Sequence, residues 1–238
     1  MSVSPALPQM ERGNQVKQLV LDIAADVAPS LENFLVGRNA ELLHALKTVL
    51  EGKVGERFIY LWGEAGCGKT HLLRAWSRAA EQAGLPTVFS SSPVPSDILG
   101  GELIAVDAVE KLDEAGQIQL FHLYNRLRES NGALLVSGSI APAGLAVRPD
   151  LLTRLGWGLV YQVHGLSDTE KGQALQAHAR ERGFNLPQEV LDYLLHHWRR
   201  DLSSLMAVLD ALDRYTLEQQ RPVTVPLLRQ LLQLELDL

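Results

Sequence analysis

At 238 residues, with 46% hydrophobic residues and a formal charge of −6, the chain has the size and apolar content of one α/β domain with a small appendage. Its acidic balance, without any Lys/Arg-rich run, argues against neutralising a nucleic-acid backbone, so DNA is expected only indirectly, through another protein. No apolar run approaches the roughly 18 residues that span a bilayer. The opening MSVSPALPQMERGNQ has no leader pattern, and the single cysteine, Cys67, has no partner for a disulfide, so a cytoplasmic location without membrane contact is expected.

Residues 1–17 are polar, carry Pro5, Pro8 and Gly13, and show no apolar period, which predicts a flexible arm. From Asn39, NAELLHALKTVLEG sets Leu42, Leu43, Leu46, Val49 and Leu50 on one helical face and stops at Gly52. RFIYLW from Arg57 reads as a strand ending in a glycine-rich turn, and KTHLLRAWSRAAEQAG as a helix to Gly84. TVFSS (87–91), LIAVD (103–107), ALLVSG (133–138) and GLVYQVHG (158–165) read as four further strands, with DEAGQIQLFHLYNRLRES as an intervening helix. Continuous apolar strands alternating with amphipathic helices predict a five-stranded parallel sheet covered on both faces, over residues 24–166. Ser167 and Glu170, spaced as a capping box, open a run of helices over 167–238, broken near Pro187, Asp201 and Pro226, which predicts a small all-α domain. Trp62, Trp157 and Trp198 are expected in cores or element junctions, and the adjacent His196 and His197 lack the spacing of a helical metal pair.

The chemistry concentrates in GEAGCGKT, residues 63–70, which matches G-x-x-x-x-G-K-[ST] in full. In such a loop Gly63, Glu64, Ala65, Gly66, Cys67 and Gly68 turn backbone N–H groups toward phosphate oxygens, and the next helix offers its positive N-terminal end. Lys69 adds a point charge, and the Thr70 hydroxyl can ligate Mg²⁺. Asp107 ends the strand LIAVD, where a carboxylate can hold Mg²⁺ through water, although a strand-end Asp can equally cap the next turn. The following residue is Ala108, which cannot polarise a water, so hydrolysis at the chain's own site is expected to be weak or absent.

GEAGCGKTHLLRA, with His71 and two leucines after the loop, resembles the AAA+ module of the DnaA family of replication proteins, and the likeness extends over nearly all of residues 18–238. ENFLVGRNAELLHAL resembles the segment that wraps the nucleotide base in that family, which implies Phe34, Leu35 and Asn39 near the base. PDLLTRLGWGLVYQVHGLSDTEK resembles the segment that carries the family's arginine finger, here Arg154. WRRDLSSLMAVLDALDR resembles the lid helix with the sensor 2 arginine, here Arg200, with Arg199 beside it. SGSIAPAG puts Ser139 at the place of the sensor 1 acid.

Two departures resemble the shorter branch of regulatory inactivators, Hda, rather than DnaA itself: no helix-turn-helix domain follows the lid before Leu238, and Ala108 replaces a second acid. A third feature is QLVLDI, residues 18–23, which resembles the peptide that docks on the sliding clamp, the β subunit of DNA polymerase III. Gln18 would orient it while Leu19, Leu21 and Ile23 fill apolar pockets; an N-terminal edge strand or core-packing segment is the other reading of these six residues. The resemblance therefore implies a nucleotide-bound adaptor, holding ADP (or ATP) with Mg²⁺. It would dock on the clamp, stimulate hydrolysis of DnaA-bound ATP through Arg154 in trans, and so regulate replication initiation negatively. A homo-oligomer is a further expectation.

Overall fold

The computed structural model describes residues 28–53, 55–91, 94–95, 101–198 and 201–236. The expected arm at 1–17, the peptide residues Gln18, Leu19, Leu21 and Ile23, and Arg199 and Arg200 lie outside the described residues.

Helix α1 (Ala40–Leu50) precedes β1 (Phe58–Trp62), α2 (Lys69–Gln82), β2 (Thr87–Ser90), β3 (Leu103–Val106), α3 (Glu114–Glu129), β4 (Ala133–Gly138), α4 (Pro149–Leu155) and β5 (Leu159–Gln162). The five strands form one parallel sheet in the order β2-β3-β4-β1-β5. Side chains alternate between its faces because the strand period is two. Ile59, Leu61, Ala105 and Leu135 meet Leu46, Leu72 and Trp76 of α1 and α2 on one face. Phe58, Tyr60, Ile104 and Val136 meet Leu120, Leu123 and Leu151 of α3 and α4 on the other. Burial on both faces is why these strands read as unbroken apolar runs. Each fully buried Leu contributes about 1.5–3 kcal/mol relative to exposure.

The lid consists of α5 (Asp168–Glu181), α6 (Gln188–His197), α7 (Leu202–Gln219) and α8 (Val225–Leu236), packed around Leu175, Val190, Leu194, Leu205, Leu209 and Leu228. The capping box forms as the spacing predicts: Ser167 Oγ accepts from Glu170 N at 3.2 Å, and Glu170 Oε2 accepts from Ser167 N at 2.7 Å. Donation from Ser167 N, and from Ser167 Oγ at 2.7 Å, holds the Glu170 carboxyl below its ordinary range. The break expected near Pro226 falls slightly earlier, where Gln220 ends α7 in the left-handed region (φ 51°), and Pro226 itself sits inside the first turn of α8. Proline fits there because a first-turn N–H has no partner within the helix. The sequence pattern does not reveal α4, a seven-residue helix opened by Pro149. Among the described residues no helix is long and apolar enough to cross a membrane.

Candidate nucleotide site

The loop at residues 63–70 joins the end of β1 to α2, near the middle of the sheet. Gly66 and Gly68 adopt φ of 77° and 105°, a region that favours glycine. Helix α2 starts after Gly68 without a side-chain cap, so no side chain occupies its first N–H groups, which suit an anion. The Lys69 ammonium donates to Gly63 O at 2.6 Å and Glu64 O at 2.9 Å, which holds it along the inside of the loop. Cys67 is a free, half-buried thiol 3.8 Å from that ammonium.

Thr70 Oγ1 donates to Asp107 Oδ2 at 2.7 Å. Asp107 directly follows β3 and Thr70 follows β1, and β4 lies between those strands. A hydroxyl and a carboxylate are hard oxygen donors, the set that suits Mg²⁺, which takes few protein ligands and completes its shell with phosphate oxygens and water. The residues present therefore fit that ion. Among the described residues no three His, Cys, Asp or Glu side chains gather into a metal cluster of their own.

Ser137, on the intervening β4, is a residue that the sequence pattern does not single out. It is fully buried, its Oγ donates to Asp107 Oδ1, and it accepts from Ala108 N at 2.9 Å. Ser139, expected at the place of the sensor 1 acid, is exposed. Ala108 lies in the left-handed region (φ 55°), and Glu110 is exposed on the short 3₁₀ turn Val109–Lys111.

Residues 30–39 clamp onto the loop. Phe34 lies against Gly68, where an added Cβ would come within 2.8 Å of its Cε2, and His71 Nε2 reaches Ser30 O at 3.1 Å. Asn39 is buried, and its amide donates to His164 O and accepts from His164 N, both at 2.8 Å. Asn39 thus ties this segment to the end of β5 and does not line the cavity below, whereas Phe34 and Leu35 do.

A cavity of about 550 Å³ lies between the loop and the lid. Of the sequence-predicted residues, Phe34, Leu35, Gly66, Cys67, Gly68, Lys69, Thr70 and His71 line it; Gly63, Glu64, Ala65 and Asp107 flank it in the loop and behind Thr70. Its lid wall comes from α5 and α7, including Lys171, His178, Asp201 and Asp210. The wall is fixed by Asp210, whose Oδ1 lies 2.6 Å from His178 Nε2 and 2.8 Å from Arg182 Nε. Asp201 caps α7 by accepting from Ser204 N at 2.8 Å and stands against Gly66. The 3.6-residue period marks these helices but not which neighbour they face, so the lid residues could not be picked from sequence.

Arg154, on α4, does not line this cavity and packs among aromatic rings, its guanidinium carbon 4.1 Å from the Trp157 centroid, 5.5 Å from Phe121 and 5.8 Å from Tyr124. Its Nε is buried without a hydrogen-bond partner. Trp157 occupies the α4–β5 junction yet is 54% exposed, more open than a core tryptophan.

Comparison with known proteins agrees with this architecture. Residues 168–232 match the family described as the Hda lid domain. Domain III of the Thermotoga maritima replication initiation protein DnaA superposes with a TM-score of 0.68 at 19% identity, over 87% of this chain and 97% of its own. AMPPCP-bound DnaA from Aquifex aeolicus gives 0.62 at 24% identity, over 82% of this chain and 70% of its own. Protein NMB1076 from Neisseria meningitidis is 43% identical over 57% of this chain and 91% of its own, with a TM-score of 0.41.

Proposed function

Since this chain is a Hda/DnaA-like protein, an AAA+ module closed by a lid of the Hda family, we propose that it is a nucleotide-bound negative regulator of replication initiation that acts on DnaA. The observation that carries this reading is the 550 Å³ cavity, which joins a complete phosphate loop to the Hda-type lid. ADP is the proposed resident nucleotide. Phe34 and Leu35 would flank the base, Lys69 and the N–H groups opening α2 would hold the phosphates, and Thr70 with Asp107 would hold Mg²⁺. That ion, when bound, would neutralise phosphate charge. Ala108 supplies no base beside Asp107, so the nucleotide serves to set the lid against the sheet domain.

Stimulation would come from Arg154, offered to the triphosphate of a neighbouring DnaA, where fingers of this kind are worth about 10³ to 10⁵ in rate. Residues 18–23 would supply recruitment to the clamp. Their apolar side chains are worth ~1.5–3 kcal/mol each if fully buried, and multivalent docking on a ring would raise the effective affinity.

The test measures turnover of DnaA-bound ATP with clamp loaded on DNA, comparing the intact chain with Arg154→Ala and with Leu19→Ala plus Leu21→Ala. Both variants are expected to lose stimulation, the first at the chemical step at any concentration, the second through recruitment and recoverably at high concentration. Full stimulation by Arg154→Ala would refute the finger, and rapid ATP cleavage by the chain alone would favour an independent ATPase.

A further inference from the structure

The sheet order places β4 between the strand that leads into the phosphate loop and the strand that Asp107 directly follows. Register sets Leu61 opposite Ser137 and Val106 opposite Val136, so Ser137 stands between the two halves of the site one residue past the last β3 pair. By strand alternation Ser137 shares the face of Ala133 and Leu135, and Asp107 that of Leu103 and Ala105, which is the face covered by α2. Ser137 is the sole polar side chain on β4, and both functions of its hydroxyl are used: it donates to Asp107 Oδ1 and accepts from Ala108 N. Asp107 in turn accepts a second hydroxyl hydrogen bond, from Thr70 on Oδ2.

We propose that Ser137 is a positioning residue for the divalent cation of this nucleotide site. It pins one carboxylate oxygen of Asp107 so that the other stays facing Thr70. The inference rests on reading the cavity as a nucleotide site. A carboxylate 9% exposed has few solvent partners to steady it, and Thr70 alone leaves it free to swing about its Cα–Cβ bond. Ser137 removes that freedom. The same hydroxyl holds the N–H of Ala108 in its left-handed turn, so the backbone that carries Asp107 and the carboxylate itself are fixed from one point. Cation affinity therefore depends on a residue that touches neither cation nor phosphate.

The experiment titrates a fluorescent ADP analogue into the full chain with Mg²⁺ and with EDTA, and takes the ratio of the two affinities as the cation-dependent gain. Ser137→Ala, the near-isosteric Ser137→Cys and the hydroxyl-retaining Ser137→Thr are compared, with thermal melts to confirm folding. The Ala and Cys variants are expected to lose about tenfold or more of the gain, in the range seen for outer partners of metal ligands. Their affinity in EDTA should stay close to that of the unsubstituted chain, and Thr should retain the gain. Asp107→Asn should abolish most of the gain, and adding Ser137→Ala to it should cost little more, since the two act as one unit. Retention of the gain by folded Ala and Cys variants overturns the proposal, as does equal loss with Mg²⁺ and EDTA, which marks a packing role. An unsubstituted chain that binds the analogue equally with and without Mg²⁺ overturns it too. Failure of the unsubstituted chain to bind at all refutes the nucleotide reading itself, and is recognised because no substitution is involved.

Discussion

The Asn39 side chain pairs with both backbone groups of His164, 125 residues away, as a neighbouring strand would. This joins the segment carrying Phe34 and Leu35 to the chain leaving β5, and so sets one wall of the cavity. Asn39→Ala would strand a partly buried N–H and C=O, at about 1–3 kcal/mol for groups left unsatisfied. Urea denaturation should show that loss, with ADP affinity falling as well. Asn39→Asp keeps the acceptor but sets a buried carboxylate oxygen against His164 O, so it should cost at least as much as Asn39→Ala. An unchanged urea midpoint for Asn39→Ala would show that the segment is held elsewhere.

Much of this frame is legible in the sequence, and the exceptions have a common cause. GEAGCGKT announces the loop and its helix, and LIAVD sets Asp107 at a strand end, because local spacing dictates both, while the meeting of Asp107 with Thr70 comes from the sheet. Ser137 stays hidden because its role arises from strand order, which a linear reading of ALLVSG does not contain. His178 and Asp210 are hidden likewise: 32 residues apart in sequence, they meet only when α5 packs on α7. Asn39 is legible as part of the base-side segment, but not as a tether to His164.

Gly68 and Phe34 make a second coupling between the wall and the phosphate loop. A Cβ at Gly68 would lie 2.8 Å from Phe34 Cε2, at a φ of 105° that side chains rarely adopt. Gly68→Ala should therefore destabilise by about 2 kcal/mol through strain alone, and ADP binding should drop with it as the loop deforms. Phe34→Ala added to Gly68→Ala relieves the contact but not the backbone strain. Thermal melts of the two single variants and the pair should show the pair costing less than the sum of the two, and full additivity would show that the contact contributes nothing.

Arg154 is held by rings rather than by acids. Its guanidinium carbon lies 4.1 Å from the Trp157 centroid and its Nε has no hydrogen-bond partner. A contact of that kind at a half-open site is worth about 0.5–1 kcal/mol. Arg154→Ala should thus shift stability by about 1 kcal/mol or less while removing stimulation of DnaA-bound ATP hydrolysis by about 10³. Trp157→Ala should leave Arg154 present but unsupported, giving partial stimulation. Parallel melts and turnover assays separate the two effects. A large loss of stability in Arg154→Ala would make it a structural arginine instead.

Tyr60 gives the fold an alkaline limit. Its hydroxyl donates to Ile140 O at 2.8 Å and fills the space above Gly138, where a Cβ would lie 1.9 Å from it. Burial, and secondarily the charge of Glu110, push its phenol well above the ordinary value of 10.0. The folded chain then keeps a proton that the unfolded chain releases near pH 10.0, so stability must fall as pH rises beyond that point, until the folded phenol ionises too. Tyr124 and Tyr161 are raised by burial as well, so the unsubstituted chain reports their sum. Tyr60→Phe isolates one share: it should cost about 0.5–1.5 kcal/mol at neutral pH through the lost hydrogen bond, and lose less stability than the unsubstituted chain between pH 10 and 11. Denaturation curves across that range should converge for the two proteins. Parallel curves, with a constant gap, would mean that Tyr60 titrates alike in both states.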